Sequence, residues 1–375
     1  MEIVISGYYG FDNLGDEAIL FSIIQELKNN LPNTRITVLS NNPDNTKELY
    51  GVNAVNRWNL LDVMKAIRQS DGLISGGGGL LQDKTSSKTI SYYCGIMWIA
   101  HCFGKPVFVY SQGIGPISKY FNEKIVLLTL NKASFITVRD EVSKRLLLQL
   151  GVKKDVTVVV DPVLGIDFDD TNHSNWLKQS IKGERYISVS VRNTHSQDVI
   201  KKIASGLSPL AEKGKKIVFV PMFGSEDYHC SLEAKEKMTK EAQQHTYIAP
   251  YDLSIDEKAT IIGSSELLIG MRLHSLILAV KKMTPFITIS YDPKIDVFAK
   301  MCGQSIIGHV DSSSWDEQSL IMDIERRLVQ KVPLAECTIQ FARKAKQVAK
   351  KPASMVLKRL LINRVNMRLN ALENK

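Results

Sequence analysis

The sequence has few cysteines, and their spacing excludes two common ways of stabilising a small fold. Its 375 residues include five cysteines, an odd number, and no two of them form a Cys-x-x-Cys pair. A disulfide framework and a cysteine-based zinc site are therefore not expected, and the composition suits a reducing compartment. The His-Glu-x-x-His pattern is also missing, so we expect no metal. The Gly-x-Gly-x-x-Gly segment of dinucleotide sites is missing as well, and we expect no other cofactor.

Targeting segments and long hydrophobic runs are missing too. The first residues, MEIVISGYYG, lack the basic and then apolar progression of a signal peptide. The most apolar stretch, YYCGIMWIAHCFG, is too short and too polar to span a bilayer. We therefore expect a soluble, cytoplasmic protein.

The excess of positive charge is confined to the end of the chain. The whole sequence carries 48 Lys and Arg against 39 Asp and Glu, a formal net charge of +9. Residues 340–375 alone hold ten Lys or Arg and one acid, so the first 339 residues, with 38 of each sign, are neutral. A nucleic acid is therefore not an expected partner.

Short β-branched runs alternate with helical stretches, which indicates an α/β protein with parallel sheets and crossover helices. The predicted strands fall into two series that a polar stretch over residues 164–183 separates. We predict two Rossmann-like domains, 1–165 and 166–339, and a basic helical tail, 340–375. The predicted strands are 3–6, 36–39, 72–75, 106–111, 135–138 and 157–160, then 186–191, 216–220, 246–248, 266–269 and 285–290.

In open parallel sheets, ligands bind beyond the carboxyl ends of the strands. The first such end, SGYYGFDNLGDE, holds Asp12, Asn13, Asp16 and Glu17 before a predicted helix. An ordinary turn with an acidic helix cap would explain part of this cluster. Four such side chains exceed what a cap needs, so we favour a site that binds, or deprotonates, sugar hydroxyls.

The segment GMRLHS is the sharpest feature, because it joins a predicted strand to a predicted helix. Arg272 and His274 would lie in the first helical turn, where free N–H groups and the helix dipole favour an anion. Arg272 adds a fork that suits carboxylate or phosphate, and His274 can donate a proton near neutral pH. Lys294, in SYDPK after the next strand, either reaches the same anion or is a solvated lysine in a turn.

Three further features each allow two interpretations. Gly76 to Gly79 after a strand could form an anion-binding nest or pack closely between domains. Arg139 and Arg192 each follow an apolar strand, where a lone arginine is usually a surface ion pair. Their equivalent positions in two domains favour a shared anion modestly.

At these residues the sequence resembles the polysaccharide pyruvyl transferases. The segments that carry the resemblance are GYYGFDNLGDEAIL, GGGGLLQD, QGIGP, VRD, DP, MRLHS and YDPK, which run from Ser6 to Lys294. The resemblance implies a GT-B-like fold, with two domains facing across a cleft, and transfer of pyruvate from phosphoenolpyruvate to a sugar as a cyclic ketal, usually across the 4- and 6-hydroxyls. The opening loop looks closest to the cell-surface-anchoring branch, which modifies lipid-linked N-acetylmannosamine.

The resemblance also implies roles for individual residues. His274 would be the general acid, and Asp16 or Glu17 the general base. The acceptor would lie against Tyr9, Asp12, Asn13 and Asp16. Binding of phosphoenolpyruvate would fall to Arg272, Lys294, Arg192, Arg139, Gly77 and Gly78.

Apolar residues of the tail recur at helical spacing after Pro352. Such a helix either packs on the protein body or lies on the membrane surface with its basic residues toward anionic lipid. We predict both, so residues 340–375 are a candidate peripheral membrane contact at the inner face of the cell membrane.

Rival functions share the predicted fold. An exopolysaccharide pyruvyl transferase with another hexose acceptor differs only in the sugar. A nucleotide-sugar glycosyltransferase is disfavoured because no acid in the second domain is evidently placed for a ribose. A Rossmann oxidoreductase lacks its Gly-x-Gly-x-x-Gly segment. A non-catalytic sugar-binding protein would give no reason for the grouping of Arg272, His274 and Lys294.

Overall fold

The computed structural model describes residues 1–84, 86, 88–168, 174–194, 197–312, 314–329 and 336–373. Side chains are described for these residues except 197 and 367–373. The chain divides into two compact units. Unit 1 comprises Met1–Ile166 and Ala345–Lys375, and unit 2 comprises Asp167–Lys344.

Unit 1 is built on an eight-stranded sheet in which every strand pair is parallel. The strand order is β3-β2-β1-β4-β6-β7-β8, and β5 pairs with β6. The strands are β1 (Glu2–Tyr9), β2 (Arg35–Ser40), β3 (Asn53–Asn56), β4 (Gly72–Ser75), β5 (Gly78–Leu81), β6 (Val107–Ile114), β7 (Phe135–Val138) and β8 (Val156–Val158).

Helices cover both faces of this sheet, as parallel sheets require. Ile3, Val4 and Ile5 in β1 are consecutive and have no exposed surface, so neither face of that strand meets water. The connecting helices are α1 (Leu14–Asn30), α2 (Pro43–Tyr50), α3 (Leu60–Gln69), α4 (Lys88–Cys102), α5 (Tyr120–Leu130) and α6 (Glu141–Gln149).

Unit 2 repeats the architecture with a six-stranded parallel sheet of order β11-β10-β9-β12-β13-β14. Its strands are β9 (Tyr186–Ser190), β10 (Lys216–Phe219), β11 (Thr246–Ile248), β12 (Leu267–Gly270), β13 (Phe286–Ser290) and β14 (Ser305–His309). Its helices are α7 (Asn175–Ile181), α8 (Gln197–Glu212), α9 (Gly224–Glu236), α10 (Lys240–Gln244), α11 (Ile255–Gly263), α12 (Leu273–Lys281), α13 (Pro293–Met301) and α14 (Glu317–Val329).

The predicted α/β class with two parallel sheets is confirmed, and every predicted strand corresponds to an observed one. Three observed strands were not predicted, namely β3, β5 and β14. The first, NAVN, and the second, GGLL, are only four residues long and rich in Asn or Gly, residues that β-propensity disfavours. Pairing with a neighbouring strand, and not local preference, makes these segments extended.

The basic tail is a helix that packs on unit 1 from Ala345 onward. Helix α15 (Glu336–Glu373) buries one row of small and apolar side chains, namely Ala345, Ala349, Ala353, Val356, Leu357 and Leu360. Two of its basic residues form ion pairs with unit 1, Lys350 with Glu26 at 3.1 Å and Arg364 with Asp71 at 2.6 Å. Packing on the body is therefore observed, and the predicted apolar positions Leu369 and Leu372 lie outside the described side chains.

Among the residues that the structure describes, no helix combines the length and the apolar character needed to cross a membrane.

Adjacent leucines of α15 give a matched test of how firmly the tail is packed. Leu360 is 1% exposed and lies against Gly72, whereas Leu361 is 50% exposed. We expect Leu360→Ala to lower the free energy of unfolding by about 2–4 kcal/mol, because it leaves a cavity. Leu361→Ala should change it by less than about 0.5 kcal/mol. Urea unfolding followed by circular dichroism measures both, and equal effects would show that the tail is not held in this way.

Candidate functional site

We define the acidic loop of unit 1 as residues 10–17, which comprise the turn after β1 and the first turn of α1. It lies at the carboxyl edge of the sheet, meaning the edge where the strands end. Asn13 caps α1, and its side chain accepts a hydrogen bond from Gly15 N at 3.1 Å. Glu17 accepts from Gly10 N and from the Tyr50 hydroxyl, both at 2.7 Å. Burial raises the pKa of Glu17. Both carboxylate oxygens of Glu17 therefore hold the loop in place.

Asp16 differs from Glu17 because it points toward the glycine-rich segment. A Cβ atom at position 78 would lie 2.7 Å from Asp16 Oδ1, so only glycine leaves room for this carboxylate. Gly78 also has φ +88°, which side chains rarely tolerate. The acidic loop and the glycine run, two separate clusters in the sequence, are thus in contact at one edge of unit 1. Asp12, in contrast, is exposed, with φ +58°.

Tyr9 and Gly77 both pack closely against neighbours within unit 1. Tyr9 is fully buried, and its ring lies against Gly7 and Gly76, where any side chain would collide with it. A Cβ at Gly77 would lie 2.9 Å from Ile19, within the same unit. The structure therefore places Tyr9 in the core and not at a binding surface, because its aromatic ring fills the space that these glycines leave.

An aromatic shelf lies beside the acidic loop and was not recognised in the sequence. We define it as Tyr8, Phe11, Trp58 and Tyr92, arranged around Arg57. Tyr8 and Phe11 stack with ring centroids 4.1 Å apart, and Trp58 is 62% exposed. The guanidinium carbon of Arg57 lies 4.4 Å from the ring centroid of Tyr92, 5.1 Å from that of Trp58 and 5.2 Å from that of Phe11.

The buried side chain of Arg57 contacts three of the shelf rings and connects them to β1. It is buried and donates from Nη1 to Gly7 O at 2.8 Å, while the Tyr92 hydroxyl donates to Arg57 O at 3.2 Å. The sequence signal was the Arg-Trp pair that follows β3, but β3 itself was not predicted. An exposed tryptophan beside three partly buried aromatic rings on a buried arginine is typical of a binding surface.

Asp83 links the glycine-rich segment to the start of α5. It accepts hydrogen bonds from Ser118 N, Lys119 N and Asn122 Nδ2, each at 3.0 Å. Burial alone would raise the pKa of Asp83, but these hydrogen bonds outweigh it and lower the pKa to about 2. Its charge and its contacts therefore persist at any physiological pH.

Arg139 has carboxylate partners within unit 1. Its side chain is largely buried, and its guanidinium nitrogens lie 3.6 Å from Asp140 and 3.6 Å from Asp161. It also occupies the space above Gly113, where a Cβ would lie 2.6 Å from its Nε. Arg139 is thus ion-paired, but as a largely buried residue and not at the surface.

In unit 2, Arg272 is the N-cap residue of α12 and forms a bidentate ion pair with a buried carboxylate. Asp227, in the first turn of α9, has no exposed surface and accepts from Arg272 Nε at 3.0 Å and Nη2 at 2.6 Å. Burial would lower the pKa of Arg272, but Asp227 outweighs it and raises the pKa. This bidentate pair fixes the orientation of the guanidinium, and nothing in the sequence identified Asp227.

Further cationic side chains lie at the neighbouring strand ends of unit 2. Arg192 follows β9, and its guanidinium carbon lies 3.8 Å from the ring centroid of Tyr291, which follows β13. Strand β12 lies between these two strands and leads to Arg272. Lys294, in the first turn of α13, is partly exposed, with Nζ 3.7 Å from Asp292. The sheet therefore gathers Arg192, Arg272 and Lys294 at one edge.

His274 lies in the first turn of α12, as its spacing predicted. Its side chain is half-buried, and its Nε2 atom is shielded from water. The helix begins at Leu273, so Arg272 is the cap and His274 is the second helical residue. His274 is thus two residues along the chain from the oriented Arg272, at the positive end of the α12 dipole.

A family model described as polysaccharide pyruvyl transferase matches residues 13–293, well over half of the chain. The match covers the acidic loop from Asn13, the glycine run, Arg272, His274 and the start of α13.

Solved structures with similar folds come from several organisms. A UDP-GlcNAc 2-epimerase from Methanocaldococcus jannaschii is 14% identical and gives a TM-score of 0.65 over 95% of this chain and 99% of that one. The MnaA protein of S. aureus, solved with UDP, is 11% identical and gives a TM-score of 0.65 over 99% of this chain and 97% of that one. The Arabidopsis thaliana protein UGT89C1, solved with UDP, is 10% identical and gives a TM-score of 0.62 over 96% of this chain and 99% of that one. These likenesses show the GT-B-type fold of glycosyltransferases and epimerases.

The Arg272–Asp227 pair can be tested through stability. We expect Asp227→Ala to lower the free energy of unfolding by roughly 3–5 kcal/mol, because it leaves a largely buried guanidinium without its carboxylate. The adjacent Glu226 is exposed, and Glu226→Ala should cost less than about 0.5 kcal/mol. Chemical denaturation of the two variants measures the difference, and a mild effect of Asp227→Ala would show that the pair does not fix Arg272.

Proposed function

The chain belongs to the polysaccharide pyruvyl transferase family, and we propose that it transfers pyruvate from phosphoenolpyruvate to a sugar as a 4,6-linked ketal. The family match supports transfer of pyruvate onto a polysaccharide. The donor, the ketal linkage and the acceptor are our proposal. Within the family we favour the cell-surface-anchoring branch, with lipid-linked N-acetylmannosamine as acceptor, over an exopolysaccharide enzyme that modifies another hexose.

The observation that carries the choice of donor is the cationic edge of unit 2. Phosphoenolpyruvate has a carboxylate and a phosphate a few bonds apart, so it needs several donors that converge from different directions. Arg272, Arg192 and Lys294 follow three neighbouring strands, and α12 adds the positive end of its dipole. Because Asp227 holds the Nε and Nη2 side of Arg272, the guanidinium is already oriented before the donor arrives.

The reaction needs one proton on carbon and one on phosphate. Protonation of the methylene carbon of phosphoenolpyruvate turns it into a methyl group and makes C2 electrophilic. One acceptor hydroxyl then forms a C–O bond to C2 and loses its proton, the C2–phosphate bond breaks, and the second hydroxyl closes the ring. The two hydroxyl protons balance the one added to carbon and the one carried off by phosphate. His274 is our candidate for the proton donor.

For the acceptor side we favour Asp16 over Glu17 as the base. The Glu17 carboxylate holds the loop through Gly10 and Tyr50, and the Asp16 carboxylate lies against Gly78 at the carboxyl edge of the sheet, where the acceptor is proposed to bind. The aromatic shelf lies along the same loop, and the apolar C–H face of a sugar ring packs well on such side chains. Asp12 and Asn13 complete the loop, and Asn13 also caps α1.

A lipid-linked acceptor would be met at the inner face of the cell membrane. The contact of residues 340–375 with that membrane stays a prediction, as does the role of Gly77, Gly78 and Arg139 in donor binding.

Removal of His274 tests the catalytic assignment. We expect His274→Ala to lower kcat by about 10²- to 10⁴-fold with unchanged folding, because the proton donor is lost. His245, at the end of α10, provides a control, and His245→Ala should leave kcat unchanged. Phosphate release from phosphoenolpyruvate, with and without a synthetic disaccharide acceptor, and the product mass measure both. Release without an acceptor, or no release with any sugar, would contradict the proposed reaction.

Two neighbouring acids can be separated by the same assay. Asp16→Asn should lower kcat by at least about 10²-fold at nearly normal stability, since it removes a base from the edge of the site. Glu17→Gln should keep kcat within about tenfold of the unmodified enzyme and lower the melting temperature, because one of its two loop contacts is weakened. The opposite pattern would identify Glu17 as the base.

A further inference from the structure

The first turn of α5 exposes two adjacent aromatic side chains. Tyr120 is 72% exposed and Phe121 is 70% exposed. A soluble surface rarely presents two large neighbouring aromatic residues unless they contact something. Because α5 follows β6, this turn lies at the carboxyl edge of unit 1, the same edge as the acidic loop.

Lysines are concentrated in the segments that adjoin these aromatic residues. Between residues 84 and 132 the sequence has six lysines and a single acid, Glu123, although the first 339 residues are neutral as a whole. Four of the lysines, Lys84, Lys88, Lys119 and Lys124, belong to the loops and helix starts at this edge, and all four are exposed. Lys124 Nζ lies 5.0 Å from the ring centroid of Tyr120.

The Asp83 carboxylate assembles this surface from two separate segments. It binds the backbone of Ser118 and Lys119 and the side chain of Asn122, and thereby holds the segment of Lys84 beside the start of α5. The lysines and the aromatic residues consequently form one preformed surface and not two independent loops.

We propose that this surface, the basic aromatic patch (Lys84, Lys88, Lys119, Tyr120, Phe121 and Lys124), docks the protein on an anionic lipid bilayer. Tyrosine with phenylalanine suits the interface between headgroups and acyl chains, and lysine stems extend along it while their charges reach anionic headgroups. The cationic groups of the patch are all lysines, whereas recognition of a nucleic acid typically relies on arginine forks.

The position of the patch relates it to the acceptor, and in this respect the inference rests on the proposed function. On α4, Lys88 is one helical turn before Tyr92 of the aromatic shelf, so the patch and the shelf adjoin. Residues 358–364 of the tail lie elsewhere, because Leu360 packs at Gly72, the first residue of β4, and Arg364 pairs with Asp71. This part of the tail is therefore at the amino edge of the sheet, whereas a lipid-linked sugar is needed at the carboxyl edge.

Co-sedimentation of the full chain with vesicles tests the proposal. We expect binding to vesicles of phosphatidylcholine with phosphatidylglycerol and little binding to phosphatidylcholine alone. The combined variant Lys119→Gln, Tyr120→Ser, Phe121→Ser and Lys124→Gln should reduce the partition coefficient by roughly thirtyfold or more. Lys119→Gln with Lys124→Gln alone provides a milder variant, and circular dichroism verifies that both are folded.

Two matched variants remove the same kinds of groups elsewhere on unit 1. On and after α6, Val142→Ser, Arg145→Gln, Leu148→Ser and Lys154→Gln should leave vesicle binding unchanged. On the tail, Lys358→Gln, Arg359→Gln, Leu361→Ser and Ile362→Ser should reduce it much less than the patch variant does. The proposal is overturned if the unmodified chain does not bind anionic vesicles, if the patch variants bind normally, or if the tail variant alone loses binding.

Activity on a soluble acceptor separates this inference from the proposed function. The patch variant should keep normal turnover with a short synthetic disaccharide, since no patch residue belongs to the site. Vesicle binding by a chain that shows no pyruvyl transfer would contradict the proposed function and leave the docking surface intact.

Discussion

All strands in each of the two sheets run parallel, and the candidate site depends on this constraint. Neighbouring parallel strands are joined by crossover connections, so the loops that follow the strands all lie at the same edge of the sheet. In unit 1 this brings Asp16 to within contact of Gly78, although sixty-one residues separate them in the sequence. In unit 2 it places Arg192, Arg272 and Tyr291 at neighbouring strand ends.

Buried carboxylates then determine what each cation at these edges can do. Asp227 engages Arg272 through a short bidentate pair and fixes its direction. Asp161 and Asp140 lie at longer range, 3.6 Å from Arg139, whose side chain is slightly more buried than that of Arg272. Arg192 instead lies over the Tyr291 ring and donates from Nε to Asn193 O at 3.2 Å, and no carboxylate of the described part of the chain lies at hydrogen-bonding distance from it. Three arginines with the same position relative to a strand thus have three different electrostatic settings.

The same edge of unit 1 combines three surfaces with different chemistry. The acidic loop offers a carboxylate, the aromatic shelf offers stacking area, and the basic aromatic patch offers cations beside exposed rings. A sugar carried on an anionic lipid could use all three: the carboxylate for its hydroxyls, the rings for its apolar face, and the lysines for the lipid phosphates. Their adjacency follows from α4, which contributes Tyr92 to the shelf and Lys88 to the patch, and from Asp83, which joins the neighbouring segments.

The sequence by itself determined the α/β class, the strands with strong β-branched runs, and the helix start that carries Arg272 and His274. These features are local, because hydrophobic periodicity and capping chemistry act over a few residues. Only the tertiary structure decided that Tyr9 is a core residue, that Asp227 holds Arg272, that Arg57 supports an aromatic shelf, and that the tail packs on unit 1. Each of these depends on a contact between distant segments, where burial and the direction of a side chain, and not its type, set its role.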